Sequence, residues 1–302
     1  MNKHARLRWL LPLGMLLALV LSACGGSATS TPIRVGSKDF TEEFVVAELY
    51  AQVLEHEGFP VERKFNLGGT PVAQAAITKG DIDLYPEYTS TGLLTVLKQK
   101  PIADQAQILS TIKAEYEKRF QLTWLNPSPF TDSNGLATTK EVADKYGIST
   151  ISDLAAKASE LRVGGPAEFA ERPDGLKGLQ KTYGGFQFKE FKQLGTGPLR
   201  YDALKHGEID VALVFTTEAR IAADKLVVLR DDKGFYPIYN IAPVVRQDTL
   251  QKNPKIAEAL NKLAPLLSDD VITSLNAQVD IDKQEVATVA KTFLSAKGLL
   301  KK

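Results

Sequence analysis

"LGGTPVAQAAITKGDIDLYPEYT", residues 67–89, lies without a gap over "LGTGPLRYDALKHGEIDVALVFT", residues 194–216. Leu67, Gly68, Pro71, Ala76, Gly80, Ile82, Asp83 and Thr89 meet identical residues at Leu194, Gly195, Pro198, Ala203, Gly207, Ile209, Asp210 and Thr216. Each copy reads as a Gly/Thr turn, a Pro at the first helical position, a helix closed by Gly, and a strand that ends in an aromatic residue followed by Thr. Gly and Pro punctuate most βα units, but here the match runs on into the strand. The expectation is two similar lobes, each presenting one ring, Tyr88 or Phe215, at the carboxyl end of a strand, where α/β sheets hold their ligands. Pro86 stiffens the approach to Tyr88, and Tyr85 is expected to pack behind it.

Around the repeat the pattern alternates. "IRVG" reads as a strand, residues 41–57 as a helix with Glu42 and Glu43 in its first turn, and "VERKFNL" as a second strand. Alternation continues to about Arg246 and predicts an α/β fold with mainly parallel pairing. The chain then reads as three consecutive helices, "NPKIAEALNKLAPLL", "DDVITSLNAQV" and "KQEVATVAKTFLSAKG".

The amino end has another character. Lys3, Arg6 and Arg8 precede an apolar run from Trp9 to Leu21 and small residues before Cys24, which is the layout of a secretory signal too short for a comfortable membrane span. "LSAC" resembles the bacterial lipobox, so residues 1–23 are expected to be cleaved and Cys24 to carry a lipid that anchors the protein outside the cytoplasm. Cys24 is the only cysteine, which excludes an intrachain disulfide and a thiolate metal cluster. The linker to residue 32, "GGSATSTP" after the cysteine, is flexible enough to hold the body off a membrane. Cleavage removes three of 37 basic residues and none of 36 acidic ones, leaving a net charge of −2 and no electrostatic reason to bind nucleic acid. With 44% apolar and 24% charged residues the body is an ordinary folded one.

Catalytic patterns are scarce. His4, His56 and His206 stand alone, no spacing suggests a metal site, and there is neither a nucleophile elbow nor a Walker loop. No cofactor is expected. What the chain offers instead is aromatics in polar loops: Tyr88, Phe215, Phe235, Tyr236 and Tyr239, and Phe130 near Asp132. Aromatic faces beside a carboxylate attract a cation that cannot donate hydrogen bonds, at about 0.5–2 kcal/mol per face. Lys38 in "GSKDF" and Arg172 in "AEFAERPDG" either pair with the neighbouring Asp39 and Glu171 or, with Thr91, hold a carboxylate.

"VGSKDFTEE", "LGGTPVAQAAITKGDIDLYPEYTSTG", "TWLNPSPFTDSNGLA", "EFAERPDG" and "YNIAPVVRQDTL" resemble, in the same order, the blocks of the substrate-binding proteins of osmoprotectant ABC importers. The similarity runs from about Ile33 to the carboxyl terminus. It implies a bilobal type II periplasmic-binding-protein fold with two hinge crossings, one lobe from residues 33–131 plus 242–302 and the other from 132–241. It also implies a monomer that closes by its hinge on glycine betaine, choline or a related zwitterion and delivers it to the transmembrane subunits of a permease. The family's cation cage falls here on Tyr88, Asn134, Phe215 and Tyr239 with Asp132 beside the cation, and its carboxylate end on Lys38, Thr91 and Arg172. Asn134 stands where the family usually has an aromatic, and Phe215 lacks a hydroxyl. The cage therefore misses a wall, which leaves open a weakly held betaine or a different cationic solute with N–H groups, such as an amino acid. An enzyme on the same scaffold, or a sensor without a permease, is the remaining alternative.

Overall fold

The computed structural model describes residues 31–300; the leader, Cys24 and the linker up to residue 30 lie outside the described residues. Ten strands form two five-stranded sheets: β1 Ile33–Gly36, β2 Val61–Lys64, β3 Leu84–Tyr88, β4 Leu122–Trp124, β5 Asn134–Thr138, β6 Arg162–Gly165, β7 Glu190–Gln193, β8 Val211–Phe215, β9 Val227–Val228 and β10 Ile241–Arg246. The strand orders are β2-β1-β3-β10-β4 and β7-β6-β8-β5-β9. Each sheet, with its helices, makes one lobe of a type II periplasmic-binding-protein fold.

The two sheets have the same plan. Pairing is parallel among β2, β1 and β3 and among β7, β6 and β8. It departs from the parallel expectation at one strand per sheet: β10 runs antiparallel to β3 and β4, and β5 antiparallel to β8 and β9. These are the strands that follow the two crossings: β5 where the chain first enters the second lobe, and β10 where it returns to the first. They arrive without a crossover helix, so nothing turns them parallel. The crossings run beside each other, bridged antiparallel at Thr131 and Asn240. The Asn240 amide binds them together by donating to the carbonyls of Ser128, Pro129 and Phe130 at 3.2, 3.3 and 3.0 Å.

The sequence repeat is also a repeat in space. Asp83 accepts from the Arg34 backbone N–H at 2.7 Å and from its guanidinium at 2.6 and 2.9 Å. Asp210 does the same for Arg162 at 2.8 Å, and at 2.8 and 2.9 Å. Gly80 and Gly207, which end the preceding helices at φ +82° and +68°, offer their carbonyls to the same two arginines. Each Asp thus ties the central parallel strand, β1 or β6, to the turn that launches the strand ending in Tyr88 or Phe215.

Period-two alternation along β3 then decides which side each ring takes. Leu84 and Tyr88 join the core beneath the helix Thr41–His56, while Tyr85 points to the opposite face, packed with Tyr116 and Trp124. Tyr85 is fully buried there, its hydroxyl 3.1 Å from Glu87. The three carboxyl-terminal helices, Lys255–Leu263, Asp269–Asp280 and Val286–Ala296, cover the helix Thr41–His56 and complete the larger core of the first lobe. Among the described residues no helix is long and apolar enough to cross a membrane.

Candidate functional site

Strand ends and hinge segments from both lobes line one cavity of about 410 Å³ of atom-free space, its mouth included. Tyr88 and Phe215 reach it from the ends of β3 and β8, Asp132 and Tyr239 from the two crossings, and Asn134 from the first residue of β5. Lys38, Thr91 and Arg172 complete the wall. The eight residues given by the family resemblance therefore line a single hollow, whereas the other loop aromatics noted in the sequence do not: Phe130 is in the first lobe's core, and Phe235 and Tyr236 pack against the second's.

Sequence reading missed the ring in the middle. Phe40 stacks near Tyr88, with centroids 6.3 Å apart, and lies 5.1 Å from the Phe215 ring. It occupies the N-cap of the helix Thr41–His56, where a short polar side chain would ordinarily bond the first free N–H groups, and it makes no such bond. An aromatic in that position was a readable sign of another duty.

One end of the cavity is held by ion pairs. The Arg172 guanidinium grips Asp174 through two bonds, at 2.9 and 2.5 Å, and reaches Thr91 Oγ1 in the other lobe at 3.4 Å. Asp174 also accepts from the Tyr239 hydroxyl at 2.7 Å. Burial by itself would raise the Asp174 pKa, but Arg172 and Tyr239 outweigh it and hold the carboxyl below its ordinary value. Asn134 is engaged here too, its amide donating to the Tyr239 hydroxyl at 3.3 Å.

Lys38 is buried, 2.7 Å from Glu87 and 3.4 Å from Glu43, with its ammonium 4.6 Å from the centre of the Tyr88 ring. Burial alone would lower its pKa; the two carboxyls more than compensate and raise it. Glu43 is pushed up to about 8 by burial, against the pull of Lys38.

The other end is acidic. Glu42, read in the sequence only as a first-turn acid, is buried at 3% exposure and accepts from the Tyr88 hydroxyl at 2.6 Å, from the Asn276 amide at 3.1 Å, and from the Thr217 hydroxyl of the other lobe. The Thr217 N–H donates to Asp132 at 3.1 Å. No set of three or more His, Cys, Asp or Glu side chains among the described residues is arranged to hold a metal ion. His56 and His206 are exposed near helix ends.

Comparison with known proteins gives a consistent result. Residues 31–296 match the family described as the substrate-binding domain of ABC-type glycine betaine transport systems. An ergothioneine transport permease/ergothioneine binding protein of Helicobacter pylori is 38% identical over 269 residues, 89% of this chain; the chain spans 48% of that relative, about half its length. A glycine-betaine-binding protein of Pseudomonas aeruginosa is 35% identical, with 95% of this chain and 96% of the relative covered. A crystal structure of a glycine betaine/carnitine/choline ABC transporter protein superposes with a TM-score of 0.68 at 31% identity, covering 89% of this chain and all of the other.

Proposed function

The chain belongs to the family of substrate-binding domains of ABC-type glycine betaine transport systems, and from that premise we propose that it captures a quaternary-ammonium zwitterion between its lobes. It is an extracytoplasmic solute receptor that works with an ABC permease. The observation that carries the finer reading is the single cavity lined together by rings from both lobes, by Asp132, and by Arg172, Thr91 and Lys38. In this reading Tyr88, Phe215 and Tyr239 face the methylated nitrogen, Asp132 supplies its counter-charge, and Arg172, Thr91 and Lys38 take the carboxylate. The lobes comprise residues 33–131 plus 242–302 and residues 132–241. They close about the paired crossings, the receptor acts as a monomer without catalysis, and lipid on Cys24 holds it at the membrane.

Asn134 favours a second reading of the ligand. Its N–H groups are engaged by the Tyr239 hydroxyl and the Asp174 carbonyl, which leaves its amide oxygen as an acceptor for which a trimethylammonium group has no N–H. A betaine that also carries a ring with an N–H, such as the ergothioneine for which the H. pylori relative is named, would use it.

Titration calorimetry with glycine betaine, choline, carnitine, ergothioneine and lysine tests the assignment. A quaternary compound is expected to bind in the micromolar range, about −8 kcal/mol. Binding of lysine alone overturns the betaine reading and leaves the receptor in place.

A further inference from the structure

Behind the ring pair Phe40 and Phe215 the cleft continues into a second chamber of about 500 Å³. Glu42, Asp132, Thr217 and Asn276 form its inner wall. Both carboxyl groups are buried, at 3% and 5% exposure, and among the described residues neither is ion-paired with Lys or Arg. They meet at Thr217, whose hydroxyl donates to Glu42 and whose N–H donates to Asp132. The Asn276 side chain, 2% exposed, gives its amide to Glu42, while its carbonyl oxygen has no partner at all. Along this inner wall oxygen lone pairs outnumber the donors.

The cations nearby are committed elsewhere. Arg200 pairs with Glu218, and Arg220 with Asp224 and Asp202. Lys283 donates to the Asp280 carbonyl, whose carboxylate takes the Thr41 hydroxyl. Lys38 lies against Glu87 and Glu43, and Glu218 adds a further negative charge. Two adjacent buried carboxyls without a counter-ion do not both ionise, and they titrate as one unit. Glu42 receives three donors and Asp132 the Thr217 N–H, so the charge belongs on Glu42 and the proton on Asp132.

We propose that Glu42 and Asp132 act as one counter-charge for the cationic head of the solute, keeping a single proton while no cation is present and releasing it to solvent as the head settles against Phe40 and Phe215. The inference rests on the reading of the solute as a cation, and it makes Glu42 a specificity residue, since a neutral head gains nothing from expelling the proton. In the step the O–H bond of the Asp132 carboxyl breaks, the electron pair stays on the carboxylate, and a buffer base takes the proton. Burial holds both groups above the usual carboxylate range, and the charge on Glu42 pushes Asp132 further up, which supplies the proton to be lost. The sign follows from linkage: the bound state carries fewer protons, so affinity rises with pH up to the pKa of the empty pair and levels off above it. Below that pKa the slope approaches about tenfold per pH unit.

The test is calorimetry near neutral pH in two buffers of different ionisation enthalpy, using whichever of glycine betaine, choline, carnitine or ergothioneine binds most tightly. Wild-type protein is expected to release up to about one proton per ligand, with Kd falling as pH rises. Glu42→Gln removes the repulsion that keeps Asp132 protonated, so it should bind more weakly and release less than half the wild-type amount; Asp132→Asn should also release less. Clear binding with equal heats in both buffers and a Kd independent of pH overturns this inference alone. Failure of all four compounds to bind overturns it together with the betaine reading.

Discussion

Thr217→Val removes one hydrogen bond and keeps the shape of the side chain. Thr217 follows β8 in the second lobe, and its hydroxyl donates to Glu42 on the first lobe's helix Thr41–His56. The backbone bonds at this position, N–H to Asp132 and Asn276 amide to carbonyl, survive the substitution. A hydrogen bond to a charged acceptor contributes about 1.5–3 kcal/mol. Glu42 keeps the Tyr88 and Asn276 bonds, so it is not orphaned and the loss settles near 2 kcal/mol. The bond exists only while the lobes are in contact, so the loss falls on the closed state alone. Apparent affinity scales with the closed population, and Kd should rise by about 30-fold. Fluorescence titration gives the Kd, small-angle scattering the ligand-induced compaction, and thermal unfolding the stability of the ligand-free protein, which should move little. Thr217→Ser should recover most of the loss. A Val variant with Kd within about threefold of wild type, or one whose ligand-free stability drops as much as its affinity, refutes the claim that this bond closes the lobes.

Arg172→Ala should weaken glycine betaine at least about tenfold more than choline, which has no carboxylate; equal losses in calorimetry refute the assigned polarity. Asp174→Asn breaks a buried pair and should cost about 3 kcal/mol in chemical denaturation. Because the Asp174 pKa is depressed, its contribution is fully present above the ordinary aspartate value and fades only as pH falls through the depressed one. The gap between variant and wild type should therefore be flat at neutral pH and shrink only below about pH 4, and a gap that closes already near pH 6 contradicts the assignment. Phe215→Leu should raise the Kd for choline only about two- to threefold, whereas Asp132→Asn should raise it about tenfold or more; competition binding against a fluorescent ligand decides, and the reverse order refutes the ranking argued below.

The fold was legible because its determinants are local or repeated. Gly80 and Gly207 end helices, Pro71 and Pro198 start them, and Asp83 and Asp210 clamp the parallel strands β1 and β6, all from segments that repeat in the chain. The antiparallel strands β5 and β10 were not legible, since strand direction there depends on where the chain crosses between lobes. Tyr88 and Phe215 followed from the repeat. Asp132 and Arg172 stood out beside their neighbours, whereas Asn134 needed the family resemblance to be noticed. Glu42 was out of reach for a different reason: its partners Thr217 and Asn276 lie 175 and 234 residues away, and a Glu in the first turn of a helix already has an ordinary explanation. Phe40 meets Phe215 only across the lobes, whereas Asp174 was hidden because Glu171 stood nearer to Arg172 as its candidate partner.

The repeat also explains why the rings carry less of the binding than an aromatic cage suggests. A buried protein cation already lies over each repeated ring: the Lys38 ammonium 4.6 Å from the centre of Tyr88, and the Arg200 guanidinium 5.1 Å from that of Phe215. Each is neutralised from behind by a carboxylate, Glu87 for Lys38 and Glu218 for Arg200. A ring polarised by one cation attracts a second less strongly, so the solute draws from Tyr88 and Phe215 only the low end of the usual range, about 0.5 kcal/mol each. The carboxyl pair Glu42 and Asp132 has no such prior engagement with a positive charge. In a desolvated chamber an unmet charge interacts far more strongly than a ring quadrupole. On the proposed reading of the solute as a cation, selection therefore rests first on the two acids, and the rings serve chiefly to exclude water and any head that must keep its hydration shell.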